Sequence, residues 1–538
     1  MLTALSGGRI IDPANGRDEQ GDLFFEDGRI VPPPSDGRQP DETHNVLGSI
    51  VLAGGIDIHS HIAGTNVNTG RLLLPDLRGS GGRDAVPVTE QIGRLYIAMG
   101  FTTVIEPAIS PHLAMQAHLE LASIPFIDTA ILTVLGNEDY LLELLRRKES
   151  TSAVADYAGR MLAGSQGLGL KVINAGGVAA FKENLRSFGL DDIVPHYGVT
   201  SRAIVRAAQK ARELLGVPHP IHLHCNNLGL PGNVETVLAT IAELGDRPLH
   251  LAHVQFYAYG KEGTRGFSSA APQLAEAINA RPQVTADVGQ VMFGQTVTIS
   301  SDVLRQFNGR AQSSPRKSAI MEREGSGGGV VPYRYRRNSF FNAVQWAAGL
   351  EIFLLVNDPW RLFFTTDHPN GAPFTAYPDL LALLMSRTLR EQWIATVSAE
   401  AMEVSTLSSL AREYTWPEIA TMTRAAPARL LGLSDRGHLG SGARADIAVY
   451  RPQADSAAMF RNAALVFKNG RLVVRDGQIP ERVSGGVLRV RPDFDGAAAD
   501  TRLAAWYDRV YGVPHSMFDV PADMTGRAGA FETVPCRS

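Results

Sequence analysis

Residues 54–64 read GGIDIHSHIAG and follow the apolar approach SIVLA at 49–53. Residues two apart in a strand project from one face. His59 and His61 therefore leave the end of a buried strand side by side, as half of a metal site or as a coincidence of core histidines. The chain downstream bears on that choice. Apolar strand-like runs recur at 55–62, 101–108, 129–136, 167–174, 220–226, 248–254, 282–289 and 361–367. Between them lie stretches such as SRAIVRAAQKARELLG and NVETVLATIAELG, whose apolar spacing is helical. Eight strands with helical crossovers predict an α/β fold, a (β/α)8 barrel. An open doubly wound sheet is disfavoured, because no GxGxxG follows the first run.

Shorter strands flank the barrel. ALSGGRIID and GDLFFEDGRIV near the start, and ADIAVYRP and ALVFKNGRLVVRDGQI near the end, carry the hairpin pairs DG and NG. The two ends are read as one small β-sandwich domain interrupted by the barrel. The expected division is 1–52 and 426–490 for the β domain, 53–425 for the barrel, and 491–538 for a tail suited to a subunit contact. The stretch 308–340, glycine-rich and basic, reads as a long loop between strands seven and eight.

Composition narrows the function. At 538 residues with a net charge of −4, the chain is a poor candidate for nucleic-acid binding. It has no apolar run long enough to span a membrane, and its start lacks the basic region and apolar core of a secretion signal. Two cysteines, Cys225 and Cys536, cannot build a disulfide framework, and a reducing cytoplasm is the expected setting.

Catalytic groups of a barrel gather at the C-terminal ends of its strands. Strand one offers His59 and His61, strand five His222 and His224, strand six His250 and His253, and strand eight Asp367 followed by His368. Strand four holds Lys171, one of only seven lysines, inside an apolar run. Each alone has a plainer reading as a core or capping residue, but four strands with coincident polar ends point to a catalytic metal. An ammonium has no lone pair to offer a metal. A neutral amine that adds CO2 becomes a carbamate, a carboxylate on a long stem, and an apolar surrounding favours that neutral amine.

In these residues the sequence resembles the amidohydrolase superfamily, in its dinuclear, hydantoinase-like and dihydroorotase-like branch. A closer resemblance is to the A subunits of formylmethanofuran dehydrogenase and of the formyltransferase/hydrolase complex of methylotrophic bacteria. GGIDIHSHIAG, GLKVINAGG, HPIHLHCNNLGLPGN, LAHVQFYAYG, TADVGQVMFG, GSGGGVVPYRYRR, NAVQWAAGLE and DPWRLFFTTDHPNGAPF carry it. The resemblance implies two divalent metal ions, zinc by expectation, bridged by an N6-carboxylated Lys171. His59, His61, Lys171 and Asp367 match the ligands of one ion, and Lys171, His224 and His253 those of the other. His224 is preferred to His222 on the alignment of LHCNN, although period two puts both on one face. His250 is expected to be structural.

The implied reaction is hydrolysis of an N-formyl furan-amine, formylmethanofuran or an analogue, to formate and the free amine. Asp367 would carry the proton from the attacking water to the departing nitrogen. Asn226, Asn227 and His368 are expected at the formyl amide. Arg336, within YRYRR (333–337), is expected at the carboxylates of the carrier's tail, since guanidinium groups bind carboxylates bidentately. The implied partners are a formyltransferase subunit together with the other subunits of a complex. A free-standing cyclic amidase of the hydantoinase type and an inactive scaffold are the competing readings.

Overall fold

The computed structural model describes residues 1–35, 37–73, 86–183, 185, 188–300, 321–323, 328–523 and 531–537. Eight parallel strands follow one another around the barrel: Gly55–Asp57, Phe101–Ile109, Asp128–Val134, Gly169–Ile173, His222–His224, Leu249–Leu251, Val284–Asp287 and Leu362–Phe363. Each falls inside a run read from the sequence or overlaps it closely. Strands one and eight meet beyond their regular parts, where Ser60 bridges His368 and His61 N–H donates to the His368 carbonyl at 2.8 Å. The ring therefore closes at the level of the site.

The crossover helices show why the apolar spacing matters. Ser201–Leu214 turns Ile204, Val205, Ala208 and Ala211 inward, and the Thr200 hydroxyl caps its first turn by accepting from Ala203 N–H. Phe340–Leu355, which contains NAVQWAAGLE, is buried on nearly all sides. A helix apolar all round has no solvent face and belongs in the core.

The two chain ends form one mixed sheet of eight strands. In it Ile447–Tyr450 pairs antiparallel with Ile50–Ala53, joining the C-terminal to the N-terminal segment. Its hairpins turn where DG and NG stand: Asp27 and Gly28 have φ of 49° and 78°, and Asn469 and Gly470 have 50° and 76°. Positive φ at both central positions is the two-residue turn that matches strand twist.

Two stretches differ from the sequence reading. Val487–Val490, assigned to the β domain, instead pairs in parallel with Thr129 and Ala130 of barrel strand three, and Phe531–Val534 pairs beyond it. Barrel strand four begins only at Gly169, so the lower flank of strand three is left open for it. The stretch 308–340 is not all loop. Its residues 308–320 and 324–327 lie outside the described ones, but Gly328–Tyr335 is a strand between Gly294–Ser300 and Met321–Arg323.

Candidate active site

One cavity opens at the C-terminal ends of the barrel strands, and His59, His61, Lys171, His224, His253 and Asp367 all line it. The ligand set expected from the sequence is thus brought to one place by five strands. The His59 and His253 rings are centred 5.1 Å apart, His59 and His61 5.6 Å, and His224 and His253 4.7 Å. Ligand atoms of His59, His253 and Asp367 lie within 4.8 Å of one another.

The donors fit a cation. Lys171 Nζ, His59 Nε2, His253 Nδ1 and Asp367 Oδ1 are buried and make no hydrogen bond. Buried polar groups are normally satisfied, and of these four on one cavity wall His59, His253 and Asp367 are grouped so that they could hold a metal ion. His59 Nε2 and Asp367 Oδ1 stand 3.1 Å apart, and His61 Nε2 lies 3.4 Å from the same oxygen.

Charge is tuned by burial and neighbours. Burial lowers the Lys171 amine to about 8, against the pull of Asp287, Asp367 and Glu106. That favours the neutral nitrogen a carbamate requires. Burial opposes charging of His61, but Glu106 and Asp367 outweigh it and raise the imidazole to about 9. Burial also works against ionised Asp367, yet His59 and His253 hold it far below the usual carboxylate range.

Three supporting residues escaped the sequence reading. Glu106, at the end of FTTVIE in strand two, lies 2.9 Å from His61 Nδ1 and accepts from the main-chain N–H of Ile62 and Ala63. Asp287, in TADVG of strand seven, lies 3.0 Å from His59 Nδ1. Asn370 donates to Asp367 Oδ2 at 3.0 Å. A carboxylate at the end of a buried strand was the available clue for the first two. Nothing in the sequence marks Asn370.

His222 and His250 sit in register on adjacent strands, one layer below the cavity, both fully buried. His224, not His222, therefore reaches the cavity wall. His250 contacts Thr285 Oγ1 and Asp287 beneath the site.

The four side chains read as substrate contacts are absent from the cavity wall. Asn226 donates to the Phe188 carbonyl and Ser201 Oγ, and Asn227 donates to Thr236 Oγ1. His368 lies behind the wall with its ring 4.8 Å from Phe374. Arg336 is exposed because strand alternation turns Tyr335 inward instead. Thr298, Ile299 and Tyr335 of the inserted sheet complete the wall.

Among the described residues no helix is long and apolar enough to cross a membrane. A family model described as "Amidohydrolase family" matches residues 43–479. The A subunit of the formyltransferase/hydrolase complex Fhc of Methylorubrum extorquens is 47% identical, with 100% of both chains covered. Protein FwdA of Methanocaldococcus jannaschii is 38% identical over 84% of this chain and 83% of its own. The crystal structure of the M. extorquens complex FhcABCD with methylofuran contains a chain that superposes with a TM-score of 0.95, at 46% identity and 100% coverage of both. The barrel, its cavity and these likenesses agree: the chain belongs to the amidohydrolase family, in the group that holds FwdA and the A subunit of Fhc.

Proposed function

We propose that this chain is the hydrolytic subunit of a formyltransferase/hydrolase complex and cleaves the N-formyl amide of a furan-amine carrier to formate and the free amine. The observation that carries the reading is the convergence of His59, His61, Lys171, His224, His253 and Asp367 on one cavity, in a chain similar from end to end to the A subunit of Fhc. Its partners are then the formyltransferase and the remaining subunits, and its division of labour is a barrel for chemistry beside a split β domain. Unpaired Cys225 and Cys536 support a cytoplasmic setting.

The residues would hold two divalent ions, zinc by the histidine-rich donor set, with Lys171 contributing as its carbamate. A bound pair of such ions supplies an acidified water and polarises the formyl oxygen. The chain's own residues do the rest. His59, His61 and Asp367 would hold one ion, His224 and His253 the other, and the carboxylated Lys171 would serve both. Asp367 lines the cavity with Oδ1 beside the histidines and is the carboxylate placed to accept a proton from the attacking water. It then returns that proton to the amine nitrogen as the carbon–nitrogen bond breaks, serving as base and then acid. Asn370 holds Oδ2 of that carboxylate while Oδ1 faces the histidines. Apolar Ile109, Leu113, Leu228 and Phe256 line the cavity beyond and limit water around the amide.

The test is formate release from the N-formyl carrier by the purified complex, measured with the metal content per chain. Lys171→Ala is expected to lose both activity and the metal pair. Full activity with two metals in that variant overturns the ligand set. Turnover of a cyclic amide by the isolated chain, with none of the formyl carrier, overturns the substrate.

A further inference from the structure

Barrel strand seven, Val284–Asp287, gives no ligand to the proposed metal pair, yet its end is shaped around it. Asp287 is fully buried. Its Oδ2 lies 3.0 Å from His59 Nδ1 and 3.1 Å from both His222 Nε2 and His250 Nε2. Its Oδ1 accepts the main-chain N–H of His253 at 2.6 Å. An ionised carboxylate only accepts, so a ring nitrogen that bonds it does so through N–H; His59 Nδ1 lies nearest to it, and 2.9 Å from His222 Nε2 as well. For a neutral His59 this places the proton on Nδ1 and leaves the Nε2 lone pair facing the cavity beside Asp367 Oδ1. His253 meanwhile has φ of 36°, a left-handed conformation that residues with a side chain seldom adopt. Gly289, two residues after Asp287, has φ of 66°, and a Cβ there would meet His253 Cβ at 2.4 Å and Asp367 Cβ at 3.4 Å.

We propose that Asp287 is a positioning residue for both halves of the metal site, one oxygen setting the ring of His59 and the other setting the main chain of His253. The inference rests on the reading of His59 and His253 as ligands. A buried carboxylate without partners is strongly unfavourable, and here three imidazoles and an amide satisfy it. His222 and His250 thereby acquire a role. They are donors that keep Asp287 ionised, and His222 is in turn supported through Nδ1 by His219 Nε2 at 3.1 Å. His222, His250 and Asp287 stand in the barrel core where branched aliphatics are usual, and the contacts of both imidazoles with the carboxylate account for them. Outer partners of this kind orient ligands and raise metal affinity by about 10- to 100-fold.

The experiment uses the whole complex, stripped by chelation and reloaded with cobalt(II). Metal affinity is read by chelator competition and ligand field by the visible absorption bands. Asp287→Asn is expected to bind two cobalt ions at saturation, each about 10- to 100-fold more weakly, with shifted bands. Thr285→Val, which reaches Asp287 only through His250, is expected to weaken binding by less than Asp287→Asn. A metal-loaded crystal structure of the wild-type complex tests the same point without a variant. Ligation through His59 Nε2 with Asp287 on Nδ1 supports the proposal. An ion held by His59 Nδ1, His222 and Asp287 together overturns it. Unchanged affinity and bands in Asp287→Asn overturn the role of Asp287 and leave the ligand set standing. A wild-type complex with no metal on His59 and His253 overturns the ligand set itself.

Discussion

Asn370 Nδ2 donates to Asp367 Oδ2 at 3.0 Å, while Asn370 Oδ1 accepts the main-chain N–H of Ile299 in the inserted sheet. The carboxylate proposed as the proton carrier is therefore oriented by a residue tied to the cavity wall. A hydrogen bond to a charged group contributes ~1.5–3 kcal/mol, so Asn370→Ala is expected to lower kcat by roughly 10- to 100-fold. Metal content and KM are expected to stay near the wild type. A rise in KM with unchanged kcat would count against an orienting role.

Glu106 makes the equivalent arrangement for His61. Its Oε1 lies 2.9 Å from Nδ1, and its Oε2 accepts two main-chain N–H groups at 2.7 and 3.0 Å. Glu106→Gln puts an amide NH2 against one of these donors. Metal affinity is expected to fall by about 10- to 100-fold, read by chelator competition, with the fold retained by circular dichroism.

Metal loading is expected to depend on pH and on bicarbonate. Below about 9, His61 in the metal-free chain carries a proton that a metal must displace. Below about 8, Lys171 is an ammonium that cannot add CO2. Both groups push in one direction, so affinity rises with pH and levels off above the His61 value. Proton release on binding, followed by calorimetry in buffers of different ionisation enthalpy, checks the sign. Added bicarbonate is expected to promote loading, and no response to it in the wild type would remove the carbamate.

At the opposite end of the barrel, Asp128 receives Lys468 Nζ at 2.7 Å and Arg436 Nε at 3.0 Å from the small β unit. Burial would raise its pKa, but Lys468 and Arg436 outweigh that and hold it far below the ordinary value. A depressed carboxylate contributes stability that is present above its unfolded pKa of about 3.9 and is lost as pH falls below it. Removing one partner of a buried pair costs ~3–5 kcal/mol. Asp128→Asn is therefore expected to lower the unfolding midpoint at neutral pH and to flatten the acid limb of stability. A denaturant titration at two pH values measures both effects.

The strands and the polar strand ends proposed as ligands were legible in the sequence because both follow local rules. Apolar runs of strand length marked all eight barrel strands, and the strand-end rule with the family resemblance singled out His59, His61, Lys171, His224, His253 and Asp367, which share one cavity. The DG and NG turns stand where hairpins form, since only positive φ closes a two-residue turn. What surrounds the ligands depends on contacts between residues far apart in sequence. Glu106 stands 45 residues from His61 and Asp287 stands 228 from His59, separations over which no periodicity reaches. Barrel closure also placed His224 at the cavity and His222 beneath it, a choice that a shared strand face left open. Strand alternation set Tyr335 inside and Arg336 outside, which a run of basic letters does not reveal. The sequence by itself determined the fold class and marked the polar strand ends that meet at one cavity. Only the tertiary structure decided which groups orient them and what walls the cavity, because hydrogen-bond partners are chosen by three-dimensional proximity and burial.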